Sequence, residues 1–308
     1  MLDLINITKK YNKSSKPALD NLNITIKEGE ILGFAGLNGA GKSTAMRISA
    51  GVTIPTSGTV LIKNINLASK RNEAVRNIGF VPDSDNIDLH YNAIDLMRYY
   101  CGLYGMNRIE ATQRSEELLD LVGLEKKKRV NLKKYSYGMR KRFLVASSLI
   151  ANPDILLFDE PFNGLDPNGF RFLENILLKS KSEGKSVFIS THVLSELSNL
   201  ADRVAVINAG KILKILNKND ITSNRRRVIK IKLNRTSESA LNALKKFGEV
   251  ESTENTIIIL EPNIEDTEIQ KVSEILGREG LVVYECYSSK EELEDLFFKI
   301  IKEQDQSI

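Results

Sequence analysis

ILGFAGLNGAGKST, residues 31–44, joins an unbroken apolar run to a glycine-rich loop. ILGFA (31–35) has the continuous hydrophobicity of a strand at the centre of a parallel sheet. Gly36-Leu37-Asn38-Gly39-Ala40-Gly41-Lys42-Ser43 then fits GxxxxGK[ST] without a mismatch, and residues 42–51 read as a helix. Strand, loop and helix in that order are the context the motif requires. Glycines let backbone N–H groups turn inward around phosphate oxygens, and the helix N-terminus adds partial positive charge at the same place. Lys42 would reach the β- and γ-phosphates, and Ser43 would place a hydroxyl on Mg²⁺. The loop indicates a nucleoside triphosphate. Alone it does not separate an ATPase from a kinase or a GTPase.

Working outward, Leu2, Leu4 and Ile7 mark a strand ending near Lys9-Lys10-Tyr11, and Leu22, Ile24 and Ile26 alternate as a half-buried strand. TVLIK (59–63) follows the turn at Pro55-Thr56-Ser57-Gly58. Helical spacing takes over at Leu96, Met97, Tyr100 and Leu103 and again at Leu118, Leu119 and Val122; a third helix runs from about Gly138 to Ala151. Strands return at ILLFD (155–159), SVFIS (186–190) and RVAVIN (203–208), with a helix between the first two. Alternating strands and helices predict a doubly wound α/β core. The expected division is a domain over residues 1–216, its helical subdomain at about 84–150, a linker at 217–227, and a C-terminal domain at 228–308. In that last domain the order strand, helix, strand, strand, helix, strand, helix (the last helix at 290–302) matches a small ferredoxin-like α+β unit.

The chain has 308 residues, and at about 150 residues per domain that is room for two. Its longest apolar runs, such as ILLF (155–158) and IIIL (257–260), fall far short of the roughly 18 residues that cross a bilayer. The net charge of +4 hides an asymmetry: residues 261–308 carry 13 acids against 5 bases, so the first 260 residues carry +12. Cys101 and Cys286 stand far apart with no CxxC spacing, and only His90 and His192 could add imidazole ligands, which argues against a disulfide framework or structural zinc. The N-terminus shows no secretory pattern, so a reducing cytoplasm is expected. The basic runs Lys126–Arg129, Lys133-Lys134 and Arg140–Arg142 lack aromatic residues interleaved for base stacking. They read as a solvated face near nucleotide and membrane, and no nucleic-acid partner is expected.

ILLFDEP (155–161) ends an apolar strand in two adjacent acids. Neighbours on a strand point to opposite sides, so Asp159 and Glu160 should do different work: Asp159 in the metal shell, Glu160 as general base on the attacking water. GLNGAGKST (36–44), YSYGM (135–139), ILLFDEP (155–161), NGLD (163–166) and STH (190–192) occur in the order found in ATP-binding cassettes, and about residues 1–215 resemble that family, the ABC proteins. The resemblance implies a P-loop NTPase fold with a helical subdomain. It implies ATP binding by Gly36, Asn38, Gly39, Ala40, Gly41, Lys42, Ser43 and Thr44, with Tyr11 stacking on adenine. It makes Asp159 the Walker B acid, Glu160 the catalytic glutamate and His192 the switch histidine that senses the γ-phosphate. Asp166 closes the D-loop, which contacts the opposite monomer, and Ser136, Tyr137 and Gly138 match the signature that binds the partner's ATP. A head-to-tail dimer of cassettes follows.

Two departures stand out. Tyr137 replaces the first glycine of the signature, and Asp83 follows IGFVP (78–82) where the family has glutamine. The Asp83 carboxylate can still offer oxygen to Mg²⁺, or it can belong to a polar turn, Asp83-Ser84-Asp85-Asn86. The leading expectation is the ATPase subunit of a transporter at the cytoplasmic face of the membrane, docked through its helical insertion on separate transmembrane permease subunits. Leu293-Glu294-Asp295-Leu296-Phe297 resembles the end of bacterial drug and antibiotic-resistance exporter ATPases. The alternatives are an importer ATPase with a solute-sensing C-terminal domain, and a soluble ABC ATPase acting on ribosomes or DNA. A P-loop kinase would leave YSYGM and NGLD unexplained.

Overall fold

The computed structural model describes residues 1–11, 16–84, 87–222, 227–253, 255–260 and 262–290, together with Phe297 and Ile300. Contacts divide the chain into two compact units that meet in sequence at Lys218 and Asn219.

The first unit opens with β1 (Leu2–Lys9), β2 (Leu19–Ile26) and β3 (Ile31–Ala35), and then α1 (Lys42–Ser49). Next come β4 (Ser57–Ile62), β5 (Ile65–Asn66), α2 (Arg71–Val75) and β6 (Ile78–Val81). Three helices interrupt the strands: α3 (Ala93–Leu103), α4 (Arg108–Leu121) and α5 (Tyr137–Ser148). After them the chain returns through β7 (Ile155–Asp159), α6 (Pro167–Ser182), β8 (Ser186–Thr191), β9 (Arg203–Asn208) and β10 (Lys211–Asn217).

Two sheets result. β2-β1-β4-β5 is antiparallel, and the six-stranded sheet has the order β10-β9-β3-β8-β7-β6, with every pair parallel except β9 with β10. The continuously apolar strands are the central ones: every residue of β3, β7 and β8 is buried. A strand covered on both faces has no polar side to present, which is why these three read as unbroken hydrophobic runs. Between the sheets, Leu2, Leu4, Ile24 and Ile26 share a core with Phe34, Met46, Ile48, Leu157 and Phe188.

The inserted helices are fixed at their starts by side chains. Asn92 accepts from the Asp95 amide, and Asn107 forms a reciprocal capping box with Glu110. Each cap satisfies amides that the helix cannot bond internally.

The strand reading stops at Asn208, whereas the sheet continues into β10. Ala209 and Gly210 both hold positive φ, 45° and 79°, and close a two-residue hairpin from β9. That is the twist a tight hairpin needs, but alanine is an unusual residue to supply it and hid the turn. The segment read as a linker holds β10's last residue and a short helix, α7 (Lys218–Thr222).

The second unit runs β11 (Arg227–Leu233), α8 (Glu238–Leu244), β12 (Glu249–Thr253), β13 (Thr256–Leu260), α9 (Ile269–Arg278) and β14 (Val283–Lys290). Its sheet has the order β12-β13-β11-β14 with all neighbours antiparallel. Ile229, Ile231, Leu233, Ile257 and Ile259 form one face, packed with Ala240 and Leu244 of α8 and Val272 and Leu276 of α9. Of the expected helix at 290–302, Lys290 instead ends β14, and the rest, with the Leu293–Phe297 motif, lies outside the described residues apart from Phe297 and Ile300.

Phe188 on β8 is fully buried and meets Phe34 on β3 with ring centroids 5.3 Å apart. Phe188→Ala should lower the unfolding free energy by about 3–5 kcal/mol, read as a fall in the urea midpoint at constant slope. A negligible shift would mean that the central strands are not packed as described.

Candidate functional site: a phosphate loop against two buried acids

Parallel register brings the carboxyl ends of β3, β7 and β8 level: Ala35 pairs with Thr191, and Asp159 pairs with Ser190. Ligands of open α/β sheets bind outside such strand ends. Here the loop Gly36–Gly41 leaves β3 and enters α1. A Cβ on Gly36 would lie 2.5 Å from the Ile207 carbonyl oxygen, and Gly41 holds φ 111° with its Cα facing the Ala18 carbonyl. No larger residue fits either position. Ala40 is buried and accepts a bond from the Gly210 amide at 2.9 Å, which pins the loop to the β9–β10 hairpin.

The loop borders an open cleft of about 410 Å³ lined by Ala18, Asn38, Gly39, Gly41, Lys42, Ser43, Thr44, Asp83, Glu160, Asn163 and His192. Lys42 is only 5% exposed. Its ammonium donates to the carbonyls of Gly36 (2.8 Å) and Leu37 (3.3 Å) and meets Glu160 Oε1 at 3.1 Å. Glu160 Oε2 contacts His192 Nδ1 at 2.9 Å and accepts from the His192 amide at 3.3 Å. Lysine, glutamate and histidine thus form one line across the cleft floor.

Beside it lies a second network. Asp159, 1% exposed, accepts from Ser43 Oγ (3.1 Å) and Ser190 Oγ (2.7 Å) through the same oxygen. Burial pushes its carboxyl above the usual range. The two hydroxyl donors pull it back, and the charges of Asp83 and Glu160 raise it further. A carboxylate in this position gains from a cation beside it.

Strand alternation predicted opposite sides for Asp159 and Glu160. The two acids do have separate partners, Ser43 and Ser190 for Asp159 and Lys42 and His192 for Glu160, and a turn follows the strand between them. β7 ends at Asp159, and Glu160 turns into the left-handed region at φ 46°. The turn brings Glu160 into the cleft that Ser43, the partner of Asp159, also lines. The Glu160 amide holds the turn by donating to Ser190 Oγ (3.0 Å) and to the Ser190 carbonyl (3.2 Å). A non-glycine residue at positive φ is sparsely populated and needs such fixing.

Tyr11 reaches the site from the side: its hydroxyl is 3.5 Å from Thr44 Oγ1, its ring lies under the Lys9 ammonium, and it is largely exposed. Ser136, Tyr137, Gly138 and Asp166 do not line this cleft. Ser136 caps α5 by accepting from the Met139 amide (3.3 Å), and Tyr137 occupies the first helical position without a positive φ. The glycine-to-tyrosine departure therefore costs no backbone strain. Asp166 caps α6, accepting from the Gly169 amide at 2.7 Å ahead of Pro167.

Sequence reasoning gave no role to Ser190, although it stands within the STH motif. Its position at the end of an apolar run was the available signal. Asn163 entered the reading only as the start of the NGLD motif, and Ala18, also on the cleft wall, carried no chemical signal of its own.

These features define a nucleotide-binding cassette of the phosphate-loop class. A family model described as ABC transporter matches residues 19–163. Over 96% of this chain and 95% of the relative, the sequence is 30% identical to the bacitracin transport ATP-binding protein BcrA of Bacillus licheniformis. It is 33% identical to the Nod factor export ATP-binding protein I of Cupriavidus metallidurans over 68% of this chain and 69% of that protein. A dimeric structure of the ATP-binding cassette MJ0796 in a post-hydrolysis state with ADP and Pi is 28% identical; it covers 71% of this chain and 99% of its own, with a TM-score of 0.64. The chain belongs to the ABC transporter family. It is an ATP-binding subunit and an ATPase.

Ser190→Ala removes the hydroxyl that bridges Asp159 and the Glu160 turn. ATP turnover should fall about ten- to a hundredfold while equilibrium nucleotide binding stays close to that of the parent. Unchanged turnover would show that the two acids hold their places without it.

Proposed function

We propose that this chain is the motor subunit of an exporter, working as a pair of cassettes on separate membrane subunits at the cytoplasmic face. The Lys42–Glu160–His192 line carries the catalytic reading. In it Lys42 moves from Glu160 to the β/γ-phosphates when ATP enters. Glu160, released from the ammonium and still held by His192, orients the attacking water and takes its proton. His192 then reports the γ-phosphate to the same carboxylate. Tyr11 stacks on the adenine above Thr44.

The donors at the loop are all oxygen: the Ser43 hydroxyl and the carboxylates of Asp159 and Asp83. That set fits Mg²⁺, which is held by one or two carboxylates together with substrate phosphates. When bound, Mg²⁺ supplies charge neutralisation at the β- and γ-phosphates.

Pairing is supported by the exposed Ser136 at the start of α5, away from its own cleft, and by the dimeric relative. In the proposed pair Ser136, Tyr137 and Gly138 bind the partner's ATP, and the Asn163–Asp166 turn meets the opposite cassette. Export is supported by the Nod factor export relative and by similarity to BcrA along almost the whole chain. Among the described residues, no helix is long and apolar enough to cross a membrane. Tyr99, Leu103 and Ile109 on α3 and α4 are strongly exposed and form the proposed docking surface for a membrane subunit. The second unit, from β11 to β14, is the proposed accessory domain. We assign it the ferredoxin-like class, a reading supported by its βαββαβ order and antiparallel sheet.

Glu160→Gln should keep ATP binding, reduce turnover by at least about a hundredfold and accumulate an ATP-bound dimer in light scattering. Near-parental turnover would remove Glu160 from the role of base. Asp83→Ala should raise the Mg²⁺ concentration needed for half-maximal turnover several-fold. An unchanged Mg²⁺ dependence would make Asp83 a turn residue only.

A further inference from the structure

Residues 125–134, EKKKRVNLKK, hold six cations against one acid, Glu125. The runs Lys126–Arg129 and Lys133-Lys134 are separated in sequence by Val130, Asn131 and Leu132, and the fold brings them back together. The Tyr135 hydroxyl donates to the Lys127 carbonyl at 3.0 Å, which closes the segment into a loop over the buried side chains of Leu132 and Tyr135. The loop is tied across the start of α3. The Ile94 amide donates to the Lys128 carbonyl (2.9 Å), the Leu132 amide to the Tyr91 carbonyl (2.9 Å) and Asn131 Nδ2 to the His90 carbonyl (2.9 Å). Lys126, Lys127, Arg129, Lys133 and Lys134 are left on the outside, and all five are exposed.

Their charges are not neutralised locally. Among the described residues, Lys128 is the only one of the six cations with an ion pair, to Glu116 at 3.2 Å. Elsewhere on this unit exposed lysines stand beside acids: Lys63 with Asp154, Lys70 with Glu73 and Lys211 with Asp20. Unpaired like charges on one loop repel one another and raise the local potential, and an anionic partner relieves both. Tyr91, 51% exposed, borders the loop through its bond to Leu132. A ring that ends in a hydroxyl suits the headgroup level of a bilayer, and lysine stems let ammonium groups reach its phosphates. A single-stranded nucleic acid asks instead for several rings on which successive bases stack. Of the two tyrosines bonded to this loop, Tyr135 is buried and one ring remains.

We propose that the loop of residues 125–134, with Tyr91 at its border, binds the anionic phosphate headgroups of a lipid bilayer directly, apart from any protein on which the chain docks. The inference rests on the proposed placement at the membrane face. A chain held on headgroups meets its membrane subunit at a raised effective concentration.

The test is sedimentation of the full chain with protein-free vesicles, either phosphatidylcholine alone or phosphatidylcholine with an equal amount of phosphatidylglycerol. The parent should bind the second kind and not the first. Raising the salt from about 0.1 M to about 1 M shortens the Debye length from about 10 Å to about 3 Å and should release most of the bound chain. Lys126→Gln/Lys127→Gln/Lys133→Gln/Lys134→Gln should weaken binding at least about a hundredfold, while unfolding at the parental temperature and binding a fluorescent ATP analogue like the parent. Lys70→Gln/Lys179→Gln/Lys214→Gln/Lys245→Gln removes the same charge from scattered exposed positions and should keep most of the binding. Should the first fourfold variant fail to fold, Lys126→Gln/Lys127→Gln carries the same readout at about a tenfold loss. Tyr91→Ala should weaken binding several-fold with an unchanged salt dependence; full binding would remove Tyr91 from the surface. Equal binding to both kinds of vesicle, no binding to either, or equal losses in the two fourfold variants would overturn the inference. So would tighter binding of a single-stranded oligonucleotide through the same four lysines, which would make the partner a nucleic acid. Because the vesicles hold no membrane subunit, these outcomes leave the docking reading untouched. That reading fails separately, if no integral membrane protein co-purifies with the chain in mild detergent.

Discussion

The buried ammonium of Lys42 organises the cleft. It lies at the point where the phosphate loop, the end of β7 and the end of β8 converge, and each supplies it with oxygen or with a partner for that oxygen. A charge this deep is costly unless it is paired and hydrogen-bonded. Here Glu160 and two loop carbonyls do the pairing. In the proposed function ATP would take their place with its anionic oxygens, and the exchange would free the Glu160 carboxylate. The loop's glycines, the positive φ of Glu160 and the Ser190 bridge all hold this exchange point in position.

One short strand end also gives two adjacent acids separate sets of partners. Asp159 stays in the sheet and is aimed at Ser43 by Ser190. Glu160 leaves the sheet through a left-handed turn and is aimed at Lys42 and His192. The strained turn gives each acid its own partners, and Ser190 is bonded to both ends of the arrangement.

Much of this was legible in residues 31–44, because a continuously apolar strand followed by GxxxxGK[ST] permits few geometries. The central strands β3, β7 and β8 were readable for the same reason: burial on both faces leaves an unbroken hydrophobic run. β10 was not, since its signal is a hairpin closed by alanine at positive φ, and strand β9 carries the apolar residues that drew attention. The division of the strands into two sheets was equally hidden, because pairing between β1 and β4 is a long-range choice that local pattern does not record. At the site, the charged residues announced themselves. The direction of Glu160 and the bridge at Ser190 depend on a turn and a register, neither of which spacing alone encodes.

The most direct test is a structure of the Glu160→Gln chain with Mg²⁺ and ATP. The account predicts two chains enclosing two nucleotides, with Lys42 on the β/γ-phosphates and no longer beside position 160, Ser43 and Asp159 on the metal side, and the partner's Ser136 turn on the γ-phosphate. A nucleotide contacted by one chain only, or Lys42 still held at position 160 with ATP in the cleft, would contradict it.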